Sequence, residues 1–206
     1  SYIGVIWILY QMKVTAKKPS KPKGNVWHDL QAGSTYAFHD PLIRGVLISV
    51  TIVSLVGMSY TVLMPAVVAE ILQGGPQTLG ILMGAVGVGA ILGAVIFSSL
   101  STFQRLRKII PYGAILMGVG LIFFAQANHL IGSILTLTAI GVGQIFQMGA
   151  SNTLLQTISA PAMRGRIMSF YTMAFMGMAP FGAFLSGSLA SLFGLSATFI
   201  LSGIAC

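Results

Sequence analysis

Charge is what this sequence has least of. Of its 206 residues only 7% are Asp, Glu, Lys or Arg, and just three are acidic. A water-soluble domain carries about 25%, so this chain cannot coat a globule that faces water. From Ile109 to Met163 there is no Asp, Glu, Lys or Arg, and none follows Arg166. Cysteine is nearly absent as well. Cys206 is the last residue, so no internal disulfide forms and cysteine usage is silent about redox compartment. The first run, Tyr2 to Tyr10, has no basic stretch before it and no small-residue cleavage pattern after it. It reads as the tail of a membrane span. The chain stops inside another apolar run, Ser196 to Cys206, so both ends read as cut and the sequence as a piece of a longer protein.

What the chain has is apolar length. Hydrophobic residues make up 55% of it and the mean hydropathy is +0.90. A helix that crosses a bilayer needs about 20 mostly apolar residues. Five runs qualify: Gly45–Ala69, Leu79–Phe103, Ile109–Ala127, Leu130–Ile158 and Ile167–Leu192. Helices of this length satisfy their own backbone hydrogen bonds in lipid. Barrel strands would be about half as long and would alternate in polarity, which these runs do not.

The basic residues then sort themselves. Lys13, Lys17, Lys18, Lys21, Lys23 and Arg44 precede the first full span; Arg105, Arg107 and Lys108 follow the second; Arg164 and Arg166 follow the fourth. These positions are two spans apart each time, so all eleven cations share one side. The other side receives Glu70, Asn128, His129 and a neutral turn near Gly194. The positive-inside rule makes the basic side cytoplasmic. This segregation also argues against nucleic acid as the reason for the net charge of +8, since phosphate binding needs a continuous basic face.

Three regions follow. Residues 1–12 are the end of a preceding span. Residues 13–41 hold a Lys/Pro/Gly-rich linker and a short helix, capped by Asn25 and running to Asp40. Trp27, Leu30, Ala37 and Phe38 are expected on one face of that helix, and His28, Asp29, His39 and Asp40 on the other, as in a helix lying on the membrane surface. Residues 42–206 are the membrane bundle, begun by Asp40 as a cap and Pro41 at the first helical position.

Few residues in the bundle carry chemistry. The second run holds two glycine pairs at four-residue spacing, Gly80/Gly84 and Gly89/Gly93, which suit close helix packing on two faces. In the fourth run Gln144, Gln147 and Ser151 fall within about 60° of one helical face, with Asn152 and Gln156 further round. Amides in hydrocarbon must face protein, water or ligand. They therefore either wall a substrate cavity or bond between helices. Tyr60 and Tyr171 are hydroxyl-bearing candidates for the same cavity, and Pro65 and Pro180 are expected to kink their helices. Glu70 reads as a solvated carboxylate at a helix end. His28 and His39 lie about 16 Å apart along their helix and cannot share a metal ion; neither metal nor cofactor is expected. Gly149-x-Ser151 superficially resembles the nucleophile motif of rhomboid-type intramembrane proteases, but no histidine follows His129 to take the serine proton. An enzyme is not expected.

The segment Pro161-Ala-Met-Arg164-Gly165-Arg166-Ile-Met-Ser169, leading into a Gly/Pro-containing span, resembles the loop between spans ten and eleven of major facilitator superfamily transporters. Leu155-Gln156 before it and Met173–Gly182 after it agree, as does the start at Asp40-Pro41-Leu42. Within the superfamily the sequence is most similar to the bacterial exporter branch of siderophore and drug efflux proteins. Ser98–Lys108 keeps the basic residues of the loop between spans eight and nine but lacks its usual glycines and aspartate. The resemblance implies an all-α, polytopic membrane helical bundle, the C-terminal six-span half of a twelve-span fold with its last span truncated. It further implies proton-coupled export of a small molecule by alternating access, in the bacterial inner membrane, with the N-terminal half of the same transporter and membrane lipid as partners. Arg105, Arg107, Lys108, Arg164, Gly165 and Arg166 would line the cytoplasmic gate or meet anionic headgroups. The alternative is a polytopic membrane subunit or sensor that transports nothing.

Overall fold

The computed structural model describes residues 26–99 and 103–206. The expected span tail at 1–12 and the linker at 13–25 with its Asn25 cap lie outside the described residues, as do the side chains of Trp27, His28, Asp29 and Leu30. All regular structure among the described residues is helical: α1 (Val26–His39), α2 (Pro41–Ile52), α3 (Ser59–Glu70), α4 (Pro76–Ser98), α5 (Phe103–Phe124), α6 (Leu130–Ile158), α7 (Arg164–Thr172) and α8 (Ala179–Ala205). Two π-helical segments, Val53–Gly57 and Met173–Gly177, join α2 to α3 and α7 to α8. Five stretches are long and apolar enough to cross a membrane: Pro41–Glu70, Pro76–Ser98, Gln104–Phe124, Leu130–Ile158 and Arg164–Ala205.

The first span starts as its sequence requires. The Asp40 carboxylate accepts hydrogen bonds from the backbone N–H groups of Leu42 (2.8 Å) and Ile43 (3.3 Å), and Pro41 supplies no N–H to satisfy. The third span differs from expectation. It begins near Gln104, so Arg105, Arg107 and Lys108 occupy its first turns and not a loop. Long basic side chains are good helix formers and can lay their stems along a helix while the charge reaches water. Arg164 and Arg166 open α7 in the same way.

Backbones meet closely where glycine permits. A Cβ at Gly89 would strike the carbonyl of Thr138, and one at Gly141 the carbonyl of Val86, which joins α4 to α6. A Cβ at Gly113 would lie 2.8 Å from the Gly143 carbonyl, and one at Gly143 2.8 Å from the Gly113 carbonyl, joining α5 to α6. At Gly194 the backbone turns to φ 81°, a conformation that favours glycine, and breaks α8. The segment beyond it folds back into the bundle. Phe199 meets Phe124 edge to face at 5.2 Å, and Gly203 stands against Gly118. The neutral turn expected near Gly194 is therefore where the chain reverses.

Two apolar cores result. One gathers Tyr60, Met64, Leu82, Met117, Leu121 and Phe199, away from the basic end. The other gathers Ile43, Val50, Leu106, Leu154, Ile167 and Tyr171, toward it. The α1 helix joins the second core through Ala37, with Gly33 placed against Phe170 and the Arg166 stem. Phe38 is 61% exposed, so it does not share the buried face with Ala37. Adjacent helical residues point about 100° apart, and the small pair Gly33/Ala37 makes the contact instead.

Candidate functional site

Polar side chains of α6 lie between the two cores, and the structure divides them into two groups. Gln144, Asn152 and Gln156, with Met148 between the first two, recur every four residues and keep partial or full exposure. Gln147 and Ser151 are fully enclosed. The difference is one of helical angle. Gln147 points between the first and third spans, where its Nε2 donates to Ser49 Oγ at 3.2 Å. Ser151 donates to the Gln147 carbonyl of its own helix at 2.6 Å. Ser151 is thus enclosed and bonded within its own helix.

Gln144 sits at the upper end of the half-exposed stripe. Its Oε1 accepts from the Tyr60 hydroxyl at 2.9 Å, and its Nε2 lies 3.6 Å from Met58 Sδ. Lower down, the Tyr171 hydroxyl donates to the Met148 carbonyl at 3.2 Å and also bonds the Asn152 side chain. Asn152 Oδ1 in turn accepts from Gln156 Nε2 at 2.5 Å. Tyr60 and Tyr171, on the first and fifth spans, therefore both reach α6, two turns apart. The result is a ladder of amides and phenols in an apolar setting. It offers donors and acceptors to a ligand without a net charge, and Met148 adds a polarizable, adaptable surface.

The first and fifth spans meet at their π-helical segments. Met58 N–H donates to the Val53 carbonyl at 3.2 Å, a bond across five residues. Ser54 Oγ, inside one segment, donates to the Phe175 carbonyl inside the other. Gly182 completes the contact, since a Cβ there would strike the Leu55 carbonyl. π-Helical turns are rare and concentrate at functional positions. Sequence reading expected kinks at Pro65 and Pro180 and did not foresee these segments. Their signal was the shared Gly-Met step that ends each, Gly57-Met58 and Gly177-Met178.

The basic residues do not converge on one point. Arg105, Arg107 and Lys108 are exposed on the first turns of α5, and Arg164 and Gly165 are exposed at the start of α7. Arg166 is half-buried, its stem beneath Gly33 of α1. The Tyr36 hydroxyl accepts from the Ala160 backbone N–H at 3.3 Å, which ties α1 to the turn before α7. Of the five glycines in α4, Gly89 and Gly93 pack on α6, whereas Gly80, Gly84 and Gly87 face no described residue within 4 Å. Glu70 is exposed at the end of α3.

Comparison with known proteins agrees with this architecture. The staphyloferrin A transporter of Staphylococcus aureus is 24% identical over 161 residues, covering 78% of this chain and 40% of its own length. The multidrug efflux pump Tap of Mycolicibacterium fortuitum is 29% identical over 175 residues, covering 82% of this chain and 41% of its own. The chain thus spans about two fifths of the length of these relatives. The family described as transmembrane secretion effector matches residues 1–206. An all-helical bundle with five apolar spans, matched from end to end by that family, belongs to the transmembrane secretion effectors of the major facilitator superfamily.

Proposed function

We propose that this chain forms part of a secondary transporter that exports a small, partly apolar molecule by alternating access, driven by the proton gradient. The observation that carries the reading is the uncharged ladder on α6, Gln144–Met148–Asn152–Gln156, flanked by Tyr60 and Tyr171. Its uncharged polar groups, interrupted by Met148, keep partial or full exposure along one helix and are bonded to Tyr60 and Tyr171. Such a strip suits a ligand with scattered hydrogen-bonding groups on an apolar body. The two relatives, a staphyloferrin A transporter and a multidrug efflux pump, point the same way. A second wall for the cavity would come from the other half of the transporter, for which the exposed Gly80/Gly84 face of α4 leaves room for close approach.

The test uses inverted membrane vesicles carrying the full-length protein and a pH-sensitive dye. Addition of siderophores, dyes or antibiotics is expected to discharge the proton gradient, with no discharge in empty vesicles. Gln144→Ala and Asn152→Ala are each expected to lower the rate about tenfold, the loss of one or two hydrogen bonds to the ligand, at unchanged membrane expression. Wild-type rates in both variants would remove the ladder from the transport path.

A further inference from the structure

A pocket lies away from the ladder, toward the basic end. It is an open groove of about 240 Å³, lined by Pro41, Leu42, Gly45, Val46 and Ser49 of α2, by Arg107, Ile110 and Pro111 of α5, and by Leu154 of α6. Its groups are ordered. Arg107 is the one charged side chain in the lining, and Leu42, Val46, Ile110 and Leu154 make apolar walls. Two turns into α2 from Pro41, Ser49 makes the inner polar end. Asp40 stands next to this lining, but its carboxylate is engaged by the first N–H groups of α2.

Behind Ser49 is an unsatisfied group. Gln147 is 0% exposed, and its Oε1 has no hydrogen-bond partner among the described residues. The two ends of an amide are assigned by their hydrogen bonds. Turned over, the amide would accept the Ser49 proton and leave its NH₂ group without a partner. In the orientation found, the Ser49 hydroxyl accepts from Gln147 and keeps its own hydrogen to donate. An acceptor entering the cavity would engage the Ser49 hydroxyl hydrogen, whereas Gln147 Oε1, itself an acceptor and enclosed behind Ser49, would not be its partner.

We infer that the cavity is a binding site for an anionic phospholipid of the leaflet at the basic end. The phosphate would pair with Arg107. An ester carbonyl would accept from the Ser49 hydroxyl, itself held by Gln147. The acyl chains would lie on the exposed apolar surface beside it, where Ile48, Tyr112 and Ile115 are 49%, 66% and 56% exposed. A cation, apolar walls and a neutral donor occur in the order that phosphate, glycerol backbone and ester present. A free inorganic anion would use only the first of these. Basic pockets between membrane helices at the cytoplasmic side are known to hold anionic headgroups. The assignment does not depend on what the protein transports.

Native mass spectrometry of the purified full-length protein tests it. Phosphatidylglycerol is expected to leave one retained lipid per chain under detergent that strips bulk lipid, at lower occupancy with phosphatidylcholine. Arg107→Gln is expected to weaken retention about tenfold and Ser49→Ala to weaken it measurably. Arg105→Gln, two residues away and outside the lining, is expected to leave it unchanged. Equal losses from Arg105→Gln and Arg107→Gln would reduce the effect to diffuse surface charge and overturn the site. Soluble glycerol phosphate competing as well as the lipid would also overturn it, in favour of a site for a free anion; that comparison needs no variant.

Discussion

Single residues in this protein act mainly by what they let approach. A methyl group at Gly89 would collide with the Thr138 backbone, which cannot swing aside as a side chain can. Gly89→Ala is therefore expected to lower the detergent-solubilised melting temperature markedly, with overpacking costing about 1–3 kcal/mol or more. Gly84→Ala, with open space around it, is expected to leave that temperature unchanged in the isolated chain. A thermal shift assay on both variants makes the comparison. The four-residue spacing drew attention to both glycine pairs, but spacing alone carries no information on which pair meets a neighbour. Gly113, Gly118, Gly141, Gly143 and Gly203 went unnoticed because each meets another helix, and cross-helix partners are invisible in one sequence. The amides of α6 were legible as a polar cluster. Their division was not, because it depends on where the first and third spans stand around the helix. The same logic separates Tyr60 from Gln144. Gln144→Leu would strand the hydroxyl of Tyr60, which is only 1% exposed, at a cost of about 1–3 kcal/mol. Tyr60→Phe leaves a half-exposed amide that can find other partners. The first is expected to be the more destabilising in the same assay.

At the scale of elements, the notable pair is the two π-helical segments. Each holds one more residue than an α-turn would, and each is held by the other span, through Ser54 to the Phe175 carbonyl and through Gly182 against Leu55. Ser54→Ala removes the cross-bond but little volume. Amide hydrogen exchange is expected to accelerate both at 53–57 and at 173–177, because the loss is shared by the two segments. Acceleration confined to 53–57 would show that the segments open independently. The helices themselves were legible from apolar length, and the capping of α2 from Asp40-Pro41. The π-helical segments were not legible, because proline announces itself in sequence whereas a π-turn is set by which carbonyls a neighbouring helix can satisfy. The start of α5 was set too late for a related reason. Charge was taken to end a span, but arginine and lysine continue a helix into the interface.

For the whole molecule, the sequence carried the class of fold through two simple patterns, apolar runs of span length and cations gathered at alternate joints. Orientation follows as a prediction. In a Cys206→Ser background, Gly75→Cys is expected to react with an impermeant thiol reagent added outside intact cells, and Ala162→Cys only after permeabilisation. Both positions are exposed. The reverse labelling would turn the protein over. Away from the basic end, the described chain shows water only the turns at 71–75 and 125–129 and the reversal at Gly194. None is long enough to hold structure of its own. In that orientation, a protease or an antibody arriving from outside finds almost nothing to grip. In the same orientation, a macromolecule that recognises the described residues is expected to do so from the cytoplasm, where α1 and the arginine-bearing helix starts make their most sizeable water-facing relief.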